Sequence, residues 1–166
     1  MAKYEWAAEQ VPDGMKITQV YCVMFDRQGR VMLRLEKVPD GVRYSLAGGR
    51  PEPFDHGIEE TCRRELLEEV NTEIEKPVCI GYQRVNEENG TPPYAQVRKA
   101  AMIRSVGEKR PDPDNGETYD RRMVPPEKAA ELLRWGDVGR AQIMAAKDVI
   151  YRQYGITAAG SAEEWI

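Results

Sequence analysis

The most informative part of the chain is residues 48–71, which read GGRPEPFDHGIEETCRRELLEEVN. The residues after the prolines recur with a helical period, so the pattern predicts a helix over about 58–70 that Asn71 closes. With about 100° between successive residues, Glu65, Glu68 and Glu69 share one face of this helix. Because the leucines and the valine fall on the neighbouring face, one side packs on a sheet and the adjacent side presents three carboxylates.

This grouping of acids is locally unfavourable. Glu65 and Glu69 are a like-charge pair four residues apart, and carboxylates about 5 Å apart repel by roughly 3 kcal/mol at an effective dielectric near 20. Glu68 and Glu69 also lie in the last turn, where the helix dipole favours cations by about 0.3–1 kcal/mol. A bound cation would compensate, and oxygen ligands favour Mg²⁺ or Mn²⁺. The alternative is a solvated helix face.

Composition limits the other function classes. The 166 residues carry 24 Lys and Arg against 28 Asp and Glu, and three of the four net negative charges lie in residues 57–70. The mild acidic excess argues against nonspecific nucleic-acid binding, so we expect a small-molecule partner. The single histidine excludes a histidine-rich metal site. Three cysteines, an odd number, suit reduced thiols in a cytoplasmic protein.

The sequence shows neither the pattern of a membrane-spanning helix nor that of a signal peptide. Apolar uncharged runs such as Ile17–Phe25 have nine residues, about half of what a membrane-spanning helix needs. The first residues lack the apolar core of a signal peptide, so we expect neither membrane insertion nor export.

Strand and helix patterns predict one mixed α/β domain over residues 1–166, with an N-terminal arm over 1–14 and a tail over 155–166. Residues 15–25 are apolar on both alternating sets, which is typical of a central strand covered on both faces. The other predicted strands are 31–36, 43–46, 78–85, 94–103 and 117–124, and two late helices are predicted at 126–134 and 138–154. The arm either exchanges between copies or covers a sheet edge, and the tail either frays or is pinned by Trp165.

The spacing within residues 48–71 resembles a known family. After Gly49 the chain has five residues, then Asp55, then eight residues, and then the run Arg64-Glu65-Leu66-Leu67-Glu68-Glu69-Val70-Asn71. This spacing resembles the Nudix box, Gly-x5-Glu-x7-Arg-Glu-U-x-Glu-Glu-x-Gly-U, where U is apolar. The order of strands and helices around it is also similar to that of Nudix (MutT-like) hydrolases. The resemblance implies an α/β/α sandwich with a mixed, curved central sheet and a catalytic helix. It also implies cleavage of a pyrophosphate bond in a nucleoside diphosphate linked to another group, X.

The chain departs from the box at several positions. The first acid is matched by Asp55 with one extra residue before the arginine, or by His56 in strict register. We favour Asp55 because, in the family, this acid holds the box arginine, and a carboxylate can accept two hydrogen bonds from it. Asn71 replaces the closing glycine and tolerates the same left-handed conformation. Thr72 and Ala47 replace an apolar residue and a frequent proline, respectively.

The resemblance also assigns roles. Glu65, Glu68 and Glu69 would bind the divalent metal, Mg²⁺ or Mn²⁺, together with the carbonyl near Gly49. Asp55 would hold Arg64, which orients the helix. Metal there would neutralise phosphate charge and activate water, so no protein nucleophile is needed. The base that accepts the proton from water would be Glu65 or an acid of the late loop: we prefer Glu117, and its rivals are Asp112, Asp114 and Asp120.

Further candidates lie around the box. Arg50 and Glu52 sit in the loop that would frame the phosphates and are candidates for substrate binding. The aromatic residues considered for stacking on a base are Tyr44, Tyr82, Tyr94 and Trp135. The alternative function is a noncatalytic Nudix-like nucleotide-binding or regulatory domain, but such domains typically lose box acids that are intact here. The resemblance allows a homodimer, and the sequence names neither the nucleotide nor the X group.

Overall fold

The computed structural model describes residues 1–166, which form ten strands and three helices. In chain order these are β1 (Lys3–Ala7), β2 (Ile17–Phe25), β3 (Val31–Val38), β4 (Gly41–Ser45), β5 (Ala47–Gly49), α1 (Ile58–Val70), β6 (Thr72–Ile74), β7 (Val78–Asn86), β8 (Tyr94–Val106), β9 (Asp120–Val124), α2 (Pro126–Leu133), α3 (Gly136–Tyr154) and β10 (Glu164–Trp165). None of the three helices combines the length and the apolar composition that a membrane crossing requires.

The strands form one mixed sheet in the order β1-β7-β8-β2-β3-β9-β10, with β4, β5 and β6 attached to β3, β2 and β8. The pairing of β2 with β8 is parallel, and the other pairings are antiparallel. The predicted central strand therefore lies in the middle of the sheet.

Helices cover both faces of this sheet. Val23 and Phe25 of β2 belong to a core that includes α2 and α3. Cys22 and Met24 point the other way, into a core with Leu66 of α1. This alternation explains the uninterrupted apolar character of β2, and the result is the predicted α/β/α arrangement with a mixed, curved sheet.

A split in the sheet places the double glycine beside α1. β2 pairs with β3 only at Phe25 and Val31, and then with β5, where Val20 and Tyr21 face Gly49 and Gly48. A Cβ on Gly49 would overlap the carboxyl group of Glu65. Glycine is thus required here because the strand and the acidic face of α1 approach closely.

Several predictions need correction. The last predicted strand, 117–124, begins only at Asp120, which leaves Glu117 in the preceding loop. β3 extends two residues beyond its predicted end, to Val38. Four short strands, β1, β5, β6 and β10, were not predicted.

Both termini join the sheet. The N-terminal arm covers an edge through β1, which pairs with β7 from Lys3–Asn86 to Ala7–Tyr82. In the tail, Trp165 pairs with Arg122 of β9 through its backbone and leaves its side chain exposed, so burial of this side chain does not hold the tail.

Candidate active site

The site is built on α1, whose bounds match the predicted helix. Asn71 ends it in the left-handed conformation, with φ 45° and its N–H directed to the carbonyls of Leu66 and Leu67. Its Nδ2 also donates to the carbonyl of Glu108 at 2.9 Å. The asparagine therefore closes the helix as glycine would and, in addition, ties the late loop to the helix end.

Arg64 is held by Asp55. Its Nε donates to Oδ1 of Asp55 at 2.9 Å and its Nη2 to Oδ2 at 2.8 Å, a bidentate geometry. Asp55 also accepts hydrogen bonds from Thr61 Oγ1 at 2.8 Å and from the N–H of Glu52 at 2.9 Å. These bonds, above all those from Arg64, hold the pKa of Asp55 well below its usual range. His56 is exposed and gives only its backbone N–H, to Glu60.

Arg64 in turn orients two acids of the helix. Its Nη1 donates to Oε1 of Glu65 at 3.0 Å and to Oε2 of Glu68 at 3.2 Å. The second oxygen of each carboxyl accepts no hydrogen bond within the protein, so each keeps a free ligand atom. Arg64 Nη2 also donates to the carbonyl of Arg50 at 3.0 Å, which fixes the loop after the double glycine.

Three carboxylates converge at this point. One oxygen each of Glu65, Glu68 and Asp114 lie within 4.8 Å of one another. Desolvation is the main cause that raises the pKa of Glu65 and of Glu68, and each is raised further by neighbouring acids. Arg64 is the only cation that forms ion pairs with these acids, and the acids keep carboxylate oxygens that no hydrogen bond uses. Such oxygens suit a hard divalent ion such as Mg²⁺ or Mn²⁺.

Glu69 has a different environment from the other two acids. It is buried, its Oε2 lies 2.8 Å from Nη1 of Arg34, and it also accepts the N–H of Gly48 at 3.4 Å. Burial raises the pKa of Glu69 to about 7. Glu69 lines the same cleft but stands outside the three-acid cluster, paired with an arginine of β3.

The loop over 107–119 supplies Asp114. Asp112 is buried, and its Oδ1 accepts the N–H of Asp114 at 2.9 Å. Asn115 Nδ2 donates to Tyr119 Oη at 2.7 Å, and the Tyr119 ring packs 4.3 Å below the guanidinium of Arg34. The Arg34–Glu69 pair therefore anchors the loop that brings Asp114 to the helix.

The structure does not bring Glu117 or Asp120 into the cluster. Glu117 is exposed, and its carbonyl accepts the N–H of Asp112 at 2.8 Å, so its backbone closes the loop. Asp120 pairs with Lys109 at 2.6 Å. Among the late-loop acids, Asp114 is the one that joins Glu65 and Glu68.

A cleft of about 780 Å³ is lined by Glu65 and Asp114 of the cluster and by Glu69. Gly49, Arg50 and Glu52 line it, as the sequence suggested, together with Gln19 and Tyr94. Tyr44 and Trp135 line a neighbouring cavity, whereas Tyr82 is buried in the core. The sequence pattern did not reveal Arg34 and Gln19, because a polar residue within a strand is ordinarily a solvated one.

This geometry can be compared with known proteins. Residues 15–146 match the model of the NUDIX domain. The chain belongs to the Nudix hydrolase family. The match includes the double glycine, α1 and the late loop, so every element that contributes an acid to the cluster lies within the Nudix domain. No curated protein gives a significant match to the chain.

Solved structures share the Nudix fold. The pyrophosphohydrolase BsRppH of Bacillus subtilis is 16% identical with a TM-score of 0.65, over 92% of this chain and 91% of that one. The E. coli ORF135 protein is 18% identical with a TM-score of 0.57, over 86% and 96%. A MutT structure from a study of Aliivibrio salmonicida and Vibrio cholerae is 16% identical with a TM-score of 0.53, over 78% and 98%.

Proposed function

We propose that this Nudix hydrolase is metal-dependent and cleaves a pyrophosphate bond in a nucleotide or nucleotide derivative, a nucleoside diphosphate linked to a group X, by attack of water at phosphorus. The convergence of Glu65, Glu68 and Asp114 beside a cleft that Glu65 and Asp114 line carries this proposal. The three acids would hold Mg²⁺ or Mn²⁺, with the carbonyl of Gly49 as a further ligand. A divalent ion supplies charge neutralisation at the phosphates and a lowered pKa of water.

The chain's own residues position the reaction. The Asp55–Arg64 pair fixes the direction of Glu65 and Glu68, and Gly49 leaves the space that the Glu65 carboxyl needs. Arg50, exposed on the cleft wall, would meet an anionic phosphate. Glu65 and Asp114 have unshared oxygens that could accept the proton from the attacking water, and we assign that role to Glu65. Glu117 lies outside the three-acid cluster, so we do not assign this role to it.

Two variants of α1 test the metal site. Glu65→Gln and Glu68→Gln each keep the shape of the side chain but remove a charge from the cluster. Glu59→Gln is the matched control, because Glu59 lies on the same helix and is exposed. We expect Mg²⁺-dependent release of phosphate or pyrophosphate from a panel of nucleotides, nucleotide sugars and dinucleoside polyphosphates to fall about 100-fold or more in the first two variants and to stay unchanged in the control.

Binding provides a second measurement. A ligand that binds the native state raises the melting temperature, so Mg²⁺ should stabilise the wild type and the control more than Glu68→Gln. Undiminished turnover in both cluster variants would refute the assigned site. Absence of turnover on every substrate, with the Mg²⁺ shift intact, would instead favour a noncatalytic nucleotide-binding domain.

A further inference from the structure

A second cavity lies beside the acidic cleft and has the opposite charge. Its volume is about 840 Å³, and it shares Tyr21, Arg34 and Gln96 with the cleft. Its wall contains four arginines and no acidic residue, although the whole chain has a net charge of −4. The two adjoining spaces thus present carboxylates on one side and guanidinium groups on the other.

Arg98 is the most unusual residue of this wall. It lies on β8 and is only 2% exposed, yet no carboxylate contacts it. Its guanidinium stacks between the rings of Tyr21 and Trp135, at 4.8 and 5.6 Å from their centroids. Burial lowers the pKa of Arg98 to about 10, so the group still carries its charge at neutral pH. A buried charge without a counter-ion is costly, and the fold nevertheless keeps it.

The protein satisfies only part of this guanidinium. Nε donates to Oε1 of Gln142 at 2.7 Å, and Nη1 donates to the carbonyl of Gln96 at 3.3 Å. Nη2 makes no hydrogen bond within the protein, and Arg98 lines the cavity. The Nη2 group of this fixed, charged guanidinium is therefore free to donate hydrogen bonds to a ligand.

A chain of glutamines holds Arg98 in this position. Gln142 Nε2 donates to Gln83 at 2.8 Å, Gln83 Nε2 to Gln96 at 3.0 Å, and Gln96 Nε2 to Gln19 at 2.6 Å. Because arginine can only donate, Gln142 must turn its oxygen towards Arg98, and this sets the direction of every following amide. Gln19, at the end of the chain, lines the acidic cleft, so the network joins the two spaces.

The four arginines of the wall separate into two pairs. Arg34 is neutralised by Glu69 and Arg43 by Glu36. Arg134 is exposed at the cavity and forms no ion pair with any acid, like Arg98. The wall therefore has two uncompensated positive charges, one buried and rigid and one exposed.

We propose that this cavity is a phosphate-binding subsite in which Arg98 Nη2 and Arg134 bind a phosphoryl group of the substrate, remote from the diphosphate that is cleaved. The proposal rests on the hydrolase function and narrows its substrate to nucleotide derivatives that carry a further phosphate. Phosphate suits the wall because guanidinium groups donate charge-assisted hydrogen bonds to its oxygens, and no carboxylate of the wall opposes it.

Inorganic phosphate in the presence of EDTA tests the subsite without metal or turnover. At constant ionic strength maintained with chloride, NMR should show saturable shifts of the Arg98 Nε–H signal in the wild type. Calorimetry should show phosphate binding about tenfold or more weaker in Arg98→Met and clearly weaker in Arg134→Gln. The control is Arg152→Gln, an exposed arginine of α3 away from the cavity, and it should bind phosphate like the wild type.

Arg134 lies on the surface, so its variant keeps the test valid even if Arg98→Met fails to fold. No saturable shift at Arg98, or equal phosphate affinity in Arg134→Gln and the wild type, would overturn the proposal. In the Mg²⁺ turnover assay, the wild type should hydrolyse coenzyme A faster than dephospho-coenzyme A, and NADP faster than NAD. Phosphate binding without any turnover would leave the subsite standing and refute the hydrolase function alone.

Discussion

Replacement of Asp55 by asparagine tests the register of the box. The Asp55 side chain is 2% exposed and accepts four hydrogen bonds of 2.8–2.9 Å, two of them from Arg64, whose side chain is 17% exposed. Removing one partner of a buried ion pair costs about 3–5 kcal/mol. We expect the low end, about 3 kcal/mol, because Arg64 is partly solvated and keeps Glu65 and Glu68 as partners.

For a chain of this size, about 3 kcal/mol corresponds to a decrease of roughly 6–12 °C in melting temperature. Calorimetry and urea denaturation at pH 7 in EDTA would measure both quantities. His56→Asn is the matched control: its side chain is exposed and forms no hydrogen bond, so we expect a change of at most about 0.5 kcal/mol. If Asp55→Asn costs less than about 1 kcal/mol, or if His56→Asn costs as much, the assignment of Asp55 as the partner of the box arginine is wrong.

Three further predictions concern the same site. Asp114→Asn should lower both Mg²⁺-dependent turnover and the Mg²⁺-induced rise in melting temperature, whereas Glu117→Gln should change neither; the reverse result would exclude the three-acid cluster. Gly49→Ala should displace the Glu65 carboxyl and lower turnover about tenfold or more while the circular dichroism spectrum persists, and full activity would refute the close approach. The pKa of Asp55 in the folded protein lies below its value of about 3.9 in the unfolded chain, so Asp55 stabilises the fold above pH 4 and this contribution is lost as the pH falls. Below pH 4, urea denaturation should therefore show the free energy of unfolding of the wild type falling more steeply than that of Asp55→Asn.

Local signals account for the parts of the fold that the sequence predicted. Helix α1 has the predicted bounds because periodicity and a residue suited to φ 45°, Asn71, agree on its end. β2 is central as predicted, because a strand covered on both faces must be apolar on both. In each case the information lies within about a dozen neighbouring residues.

The parts that could not be predicted depend on distant partners. β5 and β6 have three residues each, too few to show a period, and they exist because β2 and β8 pair with them. Arg34 has the pattern of a solvated strand residue, yet the fold places it against Glu69 and below Tyr119. The approach of Asp114 to Glu65 and Glu68 depends on this pairing, so the local sequence pattern does not show it.

The proposed phosphate subsite and the acidic cleft would together give an order of binding. Without a cation, the three acids repel a diphosphate, and Arg64, already shared between Glu65 and Glu68, cannot neutralise them all. The arginine cavity needs no cation to attract an anion, because the charges of Arg98 and Arg134 are not compensated. A substrate with phosphate at both ends would therefore be attracted first to the arginines, and its diphosphate would settle over the acids only once a divalent ion is present. If the arginine cavity binds phosphate as proposed, the glutamine chain between Arg98 and Gln19 would hold the two ends of that path in place, and the distance between the two phosphate groups of a substrate would affect its selection.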